Sequence, residues 1–213
     1  EEGFTPEFKG REDFKGQVIH PQFWPENLDY SGKRVVVIGS GATAITLIPS
    51  MTDKAKHVTM LQRSPTYVVS RPDSDPVANR LRKFLPAKMA YSVTRLKNTT
   101  MQQIVYKRTR VKPLEIKALL LGGVRAELGP DYDVDKHFTP KYNPWDQRLC
   151  LVPNGDLFAS IRSGKATMVT DTIATNAAIC GRRRRGSRRD SGTRLRLCAA
   201  ATGGVAGRRQ ASR

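Results

Sequence analysis

The sequence predicts an α/β protein, a parallel sheet flanked by helices, with a helical insertion and a disordered basic C-terminal tail. Three observations carry that reading. Lys33 to Ile38 is a short β-branched run of the kind that forms a strand buried on both faces. It enters Gly39-Ser40-Gly41-Ala42-Thr43-Ala44 directly, and a second strand, His57 to Gln62, follows an apolar helical stretch. From about residue 75 to 128 the pattern changes to apolar residues at helical spacing with basic residues between them.

Composition bounds the rest. A chain of 213 residues with 38% apolar content can bury a core of one domain or somewhat more. It opens on Glu1, which reads as a start inside a longer reading frame or after processing. No apolar run approaches membrane-spanning length and no leader pattern is present, so a soluble cytoplasmic protein is expected. Cys150, Cys180 and Cys198 lack both C-x-x-C spacing and an even count, and no metal site is implied. The net charge of +18 is uneven: Gly181 to Arg213 carries eleven arginines against Asp190, and residues 75–128 carry twelve basic and three acidic side chains.

In chain order, Glu1 to Tyr30 is polar and rich in aromatic and turn residues. Phe14, Gly16, His20, Trp24 and Pro25 form the pattern F-x-G-x-x-x-H-x-x-x-W-P. By itself this is a linker with two aromatic anchors, and His20 reads as a hydrogen-bonded structural residue rather than a base. Gly39 to Ala44 then has the G-x-G-x-x-A form of a dinucleotide fingerprint in its required strand-turn-helix context. Gly39 permits the tight turn, Gly41 lets backbone approach a pyrophosphate, and Ala44 lets the helix lie close to the sheet, with Thr43 beside them in the first turn. Arg63 lies twenty-four positions after Gly39, where an NAD site usually carries a carboxylate; with Ser64 it suits the 2′-phosphate of NADP. The alternative is a doubly wound sheet unit with an ordinary surface arginine.

Ala42 to Ser50 is the expected first helix, packed through Ile45, Leu47 and Ile48, with Pro49 bending or stopping it. Asp75-Pro76 reads as an N-cap with proline at the first helical position, and Val77, Leu81, Phe84 and Leu85 recur at helical spacing before Pro86. Helices are expected over about 87–109 and 113–128. Their basic residues are either solvated faces or a contact with an anionic membrane surface, with Leu119, Leu120, Leu121 and Val124 supplying apolar contact. Residues 131–144 read as irregular, and Asp131, Asp133 and Asp135 lack the glycine and distal glutamate of a calcium loop. Asn154 to Ser163 reads as a capped helix and Ala166 to Thr170 as a strand. After Ile173 the pattern changes, and from Gly181 onward aromatic and large apolar residues nearly vanish, so 174–213 reads as a disordered tail, with out-of-frame translation of GC-rich DNA as its proposed origin. Ala201-Thr202-Gly203 is a faint exception.

The Phe14 to Pro25 pattern, followed at once by the glycine fingerprint, resembles the signature of Baeyer-Villiger monooxygenases, class B flavin-dependent enzymes that use FAD and NADPH. The runs Asp29 to Val69 and Tyr142 to Phe158 look most similar to the mycobacterial ethionamide-activating branch. The resemblance covers about residues 1–173 and implies an internal fragment, with FAD bound by the complete parent enzyme. It implies that 1–30 is the signature linker from a missing FAD domain, that 31–173 is the NADP domain, and that His20 acts in domain movement and cofactor positioning. It also implies that Arg148 stabilises an anionic peroxide at the flavin, with Gln147 departing from the family's usual lysine. The structural alternative is that Arg148 pairs with Asp146 or a neighbouring acid. The implied co-substrates are molecular oxygen and a small ketone or sulfur compound, with the fragment inactive alone. Two other function classes stand beside this one: a non-catalytic nucleotide-binding remnant, and a basic protein binding nucleic acid or an anionic surface through its tail. The tail lacks a recognition fold or stacking aromatics, so no specific nucleic acid is expected.

Overall fold

The computed structural model describes Phe14, residues 16–171 and Leu197–Ala200. The chain divides into two units: one takes the residues up to Ser64 and from Ser160 onward, the other is Pro65–Ala159.

The first unit is built on a parallel sheet. Its strands are β1 (Gln17–Ile19), β2 (Arg34–Ile38), β3 (His57–Gln62), β6 (Ala166–Thr170) and β7 (Leu197–Ala200), in the spatial order β1-β7-β2-β3-β6. β2 is a near-continuous valine run, and Val35, Val36 and Val37 are all buried, as a strand covered on both faces requires. β3 alternates instead, burying Val58, Met60 and Gln62. Between them α1 (Ala42–Met51) packs Ala44, Ile45 and Ile48 inward. Pro49 does not stop α1; the helix runs two residues further, and the Pro49 carbonyl accepts the Thr52 N–H at 3.2 Å.

Two short strands of this unit were not among the elements expected from the sequence. The segment read as a linker with two aromatic anchors contains β1, whose three residues are too few to show a period, and a single 3-10 turn at Pro21–Phe23. Within the tail expected to be disordered, Leu197–Ala200 pairs in parallel with both β1 and β2, opposite Gln17–Ile19 and Val35–Ile38. Leu-Cys-Ala-Ala is short but wholly apolar, which a strand between two others tolerates; the neighbouring arginines hide it from a composition argument. The proposed frame change and the rest of the tail lie outside the described residues.

The second unit is wider than the helical insertion expected over 75–128, because it carries its own two-stranded parallel sheet. β4 (Tyr67–Arg71) pairs with β5 (Leu149–Pro153) in register from Tyr67 opposite Leu149 to Arg71 opposite Pro153. Between these strands in sequence come α2 (Pro76–Phe84), α3 (Ala87–Val111), α4 (Pro113–Leu128) and α5 (Val134–Phe138). The core joins Tyr67, Val68, Cys150 and Val152 of the sheet with Leu121, Val124, Val134, Phe138 and Phe158, each buried. Phe138 and Phe158 meet at 5.7 Å between ring centroids. Residue 156 opens the short helix α6 (Asp156–Arg162), which runs across the boundary between the units.

Asp75 caps α2 as expected, accepting the Val77 and Ala78 N–H groups at 3.0 and 3.1 Å. The inward face of α2 differs from expectation: Ala78 is its buried residue, while Val77 and Phe84 are exposed. Residues 131–144 are not wholly irregular, since Asp133 accepts the Lys136 N–H and nucleates α5. Asp135 pairs with Arg125 at 2.8 Å. Of the apolar residues offered above for a membrane surface, Leu121 and Val124 belong to the core, and Leu119 is the exposed one.

Candidate functional site

The carboxyl ends of β2 and β3 are where chemistry-bearing residues gather in the first unit. Ile38 stands opposite Leu61, and the Gly39 N–H donates to the Leu61 carbonyl at 2.8 Å, so the glycine turn leaves β2 level with the end of β3. Gly39 has φ 134°, which side-chain-bearing residues rarely adopt. Gly41 is the N-cap of α1 with φ −80°, and as a glycine it offers the helix's first amides no side-chain cap. No acidic residue lies in that first turn. The first-turn N–H groups of α1, those of Thr43 and Ala44 among them, therefore form a positively polarised end. Ala44 is fully buried, which lets α1 close on the sheet, whereas Thr43 is exposed.

Arg63 and Ser64 follow β3 at the same edge and are both exposed. Among the described residues Arg63 makes no hydrogen bond or ion pair. Beside it, Gln62 is 2% exposed and donates from Nε2 to Thr170 Oγ1 at 2.9 Å, while its carbonyl accepts the Asp171 N–H at 3.0 Å. These bonds pin the end of β3 to the end of β6 and hold the backbone from which Arg63 projects. Sequence reasoning passed over Gln62, yet the signal was available: it is the one polar residue at an inward position of the alternating strand His57–Gln62.

The F-x-G-x-x-x-H-x-x-x-W-P segment belongs to the same unit. Phe14 is buried against Val36, with Val18, Ile38 and Leu61 around it, and is thus one of the expected anchors. Gly16 bends the chain into β1. His20 accepts the Gln22 N–H on Nδ1 at 3.3 Å, capping the 3-10 turn, and its ring lies 6.0 Å from that of Phe23. Its Nε2 is buried and has no hydrogen-bond partner among the described residues. A buried ring nitrogen left unmatched is costly unless something meets it. Trp24 stands edge-on to Tyr30 at 6.3 Å, and the Pro25 carbonyl accepts the Leu28 N–H at 3.2 Å.

Arg148 is in the second unit, exposed at the start of β5. The loop before it is closely determined. The Asp146 N–H donates to the Asn143 carbonyl at 3.1 Å, the Asn143 N–H returns to the Asp146 carboxylate at 3.3 Å, and Trp145 sits at φ 69°. The Asp146 carboxylate is also taken by Arg110 at 2.9 Å. Tyr142 donates from its hydroxyl to the Arg148 carbonyl at 3.0 Å and accepts on its own carbonyl from the Tyr67 hydroxyl at 2.7 Å. Burial, with the neighbouring Tyr142 and Asp146, pushes the Tyr67 phenol up to about 12, so it remains a donor. Burial likewise raises the Cys150 thiol.

A parallel sheet with a glycine turn and a glycine-capped helix N-terminus at its carboxyl edge defines the dinucleotide-binding class of α/β proteins. The chain belongs to the flavin-binding monooxygenase-like family, whose pattern matches residues 5–112. It is 58% identical over 174 residues to the FAD-containing monooxygenase EthA of Mycobacterium tuberculosis, covering 81% of this chain and 36% of that protein. It is 54% identical over 174 residues to the probable FAD-binding monooxygenase AlmA of Acinetobacter baylyi, covering 81% and 35%. The chain thus spans about a third of the length of these relatives. Among solved structures, an oxidized steroid monooxygenase bound to NADP superposes with a TM-score of 0.63 at 18% identity, covering 94% of this chain and 45% of that one. Cyclohexanone monooxygenase from Rhodococcus sp. Phi1 bound to NADP+ gives 0.59 at 19% identity, covering 94% and 44%. At such identity these likenesses show the fold.

Proposed function

We propose that the chain is the NADP-binding part of an FAD- and NADPH-dependent monooxygenase of the Baeyer-Villiger type. The observation that carries the reading is the meeting, at one sheet edge, of the Gly39 turn, the glycine-capped N-terminus of α1 and the guanidinium of Arg63, which makes no hydrogen bond or ion pair among the described residues. Backbone at Gly39 to Ala44 takes the pyrophosphate, with Thr43 at its rim, and Arg63 with Ser64 takes the 2′-phosphate. His20 is consistent with a bound cofactor as well, because its buried Nε2 has no hydrogen-bond partner among the described residues. Arg148, whose charge is permanent and whose backbone Tyr142 secures, holds negative charge beside the flavin.

When bound, NADPH supplies a hydride and FAD supplies the chemistry with molecular oxygen, while the protein supplies position and charge. The relatives' names support the flavin, and the NADP-bound fold neighbours support the nicotinamide cofactor. The substrate class is a small ketone or sulfur compound, and the 213-residue polypeptide by itself performs no turnover.

Titrating this polypeptide with NADP+ and with NAD+ tests the reading. Arg63→Ala weakens NADP+ binding by about tenfold to a hundredfold, as loss of a charge-assisted hydrogen bond should. NAD+ binding is left unchanged; an equal loss for both ligands rules out the 2′-phosphate role. The purified polypeptide shows no stoichiometric flavin absorbance and consumes no NADPH with oxygen, and either activity overturns the proposed dependence on further chain.

A further inference from the structure

We propose that Gln62 is a positioning residue that sets coenzyme selectivity: by tying the end of β3 to β6 it fixes the point from which Arg63 reaches the 2′-phosphate of NADP. The inference rests on the reading of Arg63 given above. Along β3 the inward positions are Val58, Met60 and Gln62, and Gln62 is as deeply buried as Met60, each 2% exposed. An apolar side chain would fill that place without the cost of burying an amide, so space-filling does not account for glutamine there. Its bond does. Thr170 stands directly opposite Gln62 in the register of β3 and β6, and its hydroxyl oxygen accepts from Gln62 Nε2 at 2.9 Å.

The last two carbonyls of β3 hold its two flanks. That of Leu61 accepts the Gly39 N–H at 2.8 Å, on the side of the glycine turn, and that of Gln62 accepts the Asp171 N–H at 3.0 Å, on the side of β6. β3 ends at Gln62, so Arg63 leaves directly from the pinned end of the strand. Among the described residues Arg63 makes no hydrogen bond or ion pair, so its placement comes from the backbone that carries it. A long side chain rooted in loose backbone gives up more freedom when it closes on a phosphate. Loosening the β6 flank therefore weakens the contact with the 2′-phosphate. The bond between Leu61 and Gly39 still holds the pyrophosphate turn, on which NAD+ and NADP+ depend alike.

The full chain and its variants are titrated with NADP+ and NAD+, and the ratio of the two dissociation constants is the readout, because a fold merely weakened loses both ligands together. Gln62→Leu is expected to lower the preference for NADP+ about threefold to tenfold, the scale of one lost hydrogen bond, with NAD+ binding unchanged. Thr170→Val removes the partner and lowers the preference similarly, whereas Thr170→Ser keeps the hydroxyl and the parent's ratio. Combining Gln62→Leu with Thr170→Val adds little to either, since both delete the same bond. In an Arg63→Ala background, Gln62→Leu moves the ratio no further. Equal losses of both ligands in Gln62→Leu and Thr170→Val make Gln62 a core amide only and overturn the proposal; if Gln62→Leu does not fold, an unchanged ratio in Thr170→Val does the same. A preference lost in Arg63→Ala but kept in Gln62→Leu and Thr170→Val overturns this proposal alone. A parent chain without the preference, or an Arg63→Ala variant that keeps it, overturns the 2′-phosphate reading and this proposal with it.

Discussion

Two glycines of one turn differ in what they contribute. Gly39, at φ 134°, holds a backbone conformation that a side chain strains, whereas Gly41, at φ −80° and ψ 174°, is in a region open to any residue. Gly39→Ala is therefore expected to cost about 1–3 kcal/mol of stability, seen as a lower Tm, together with nucleotide binding. Gly41→Ala is expected to leave Tm nearly unchanged and weaken NADP+ binding alone, by filling the space where phosphate approaches backbone. If both variants melt like the parent and bind like it, the turn is not the phosphate site. These glycines were legible because their chemistry depends on neighbours in sequence. The buried Gln62 amide and the His20 Nε2, unmatched among the described residues, were less so, because burial and partnership depend on β6 and on the packing around the 3-10 turn.

At the level of elements, the junction of α2 and α3 offers a pH test. Asp75 caps α2 and pairs with Lys97 of α3. The Lys97 ammonium, then the Ala78 N–H, hold its carboxyl down to about 2 from an ordinary value near 3.8. A depressed carboxylate stabilises the fold at pH values above its unfolded pKa, and the contribution is lost as pH falls through the folded value. Asp75→Ala should therefore lower Tm at pH 7, and the gap from the parent should close as pH drops from about 4 to about 2. A gap that persists at the acid end assigns the effect to packing rather than to the charge. The capped start of α2 was readable because an N-cap is a contact within a few residues. β1, β4 and β5 escaped for the opposite reason: each is short and is stabilised by a partner distant in the chain.

At the scale of the whole first unit, the sheet includes a strand that composition argued against. β7 lies between β1 and β2, so its backbone must serve both neighbours. Ala199 stands opposite Ile19 on one side and Val37 on the other. Proline there removes a ladder donor, and Ala199→Pro is expected to destabilise the unit by about 3 kcal/mol or more in a denaturant titration. Hydrogen exchange should accelerate at the amides of Arg34–Ile38. Unchanged melting and exchange would mean that the sheet is complete without Leu197–Ala200. Ala201-Thr202-Gly203, which follows in the sequence, lies outside the described residues.

The sequence by itself determined the strand-turn-helix-strand unit from Lys33 to Gln62, the cap at Asp75, the run of helices from 76 to 128 and the family resemblance, because each rests on residues close together in the chain. Tertiary structure alone decided the five-strand order, the separate β4-β5 sheet and the sides of α2, α3 and α4 that are buried. Periodicity shows that a helix has an apolar side; only the presence or absence of a partner decides whether that side is core, as at Leu121 and Val124, or surface, as at Leu96 and Val111.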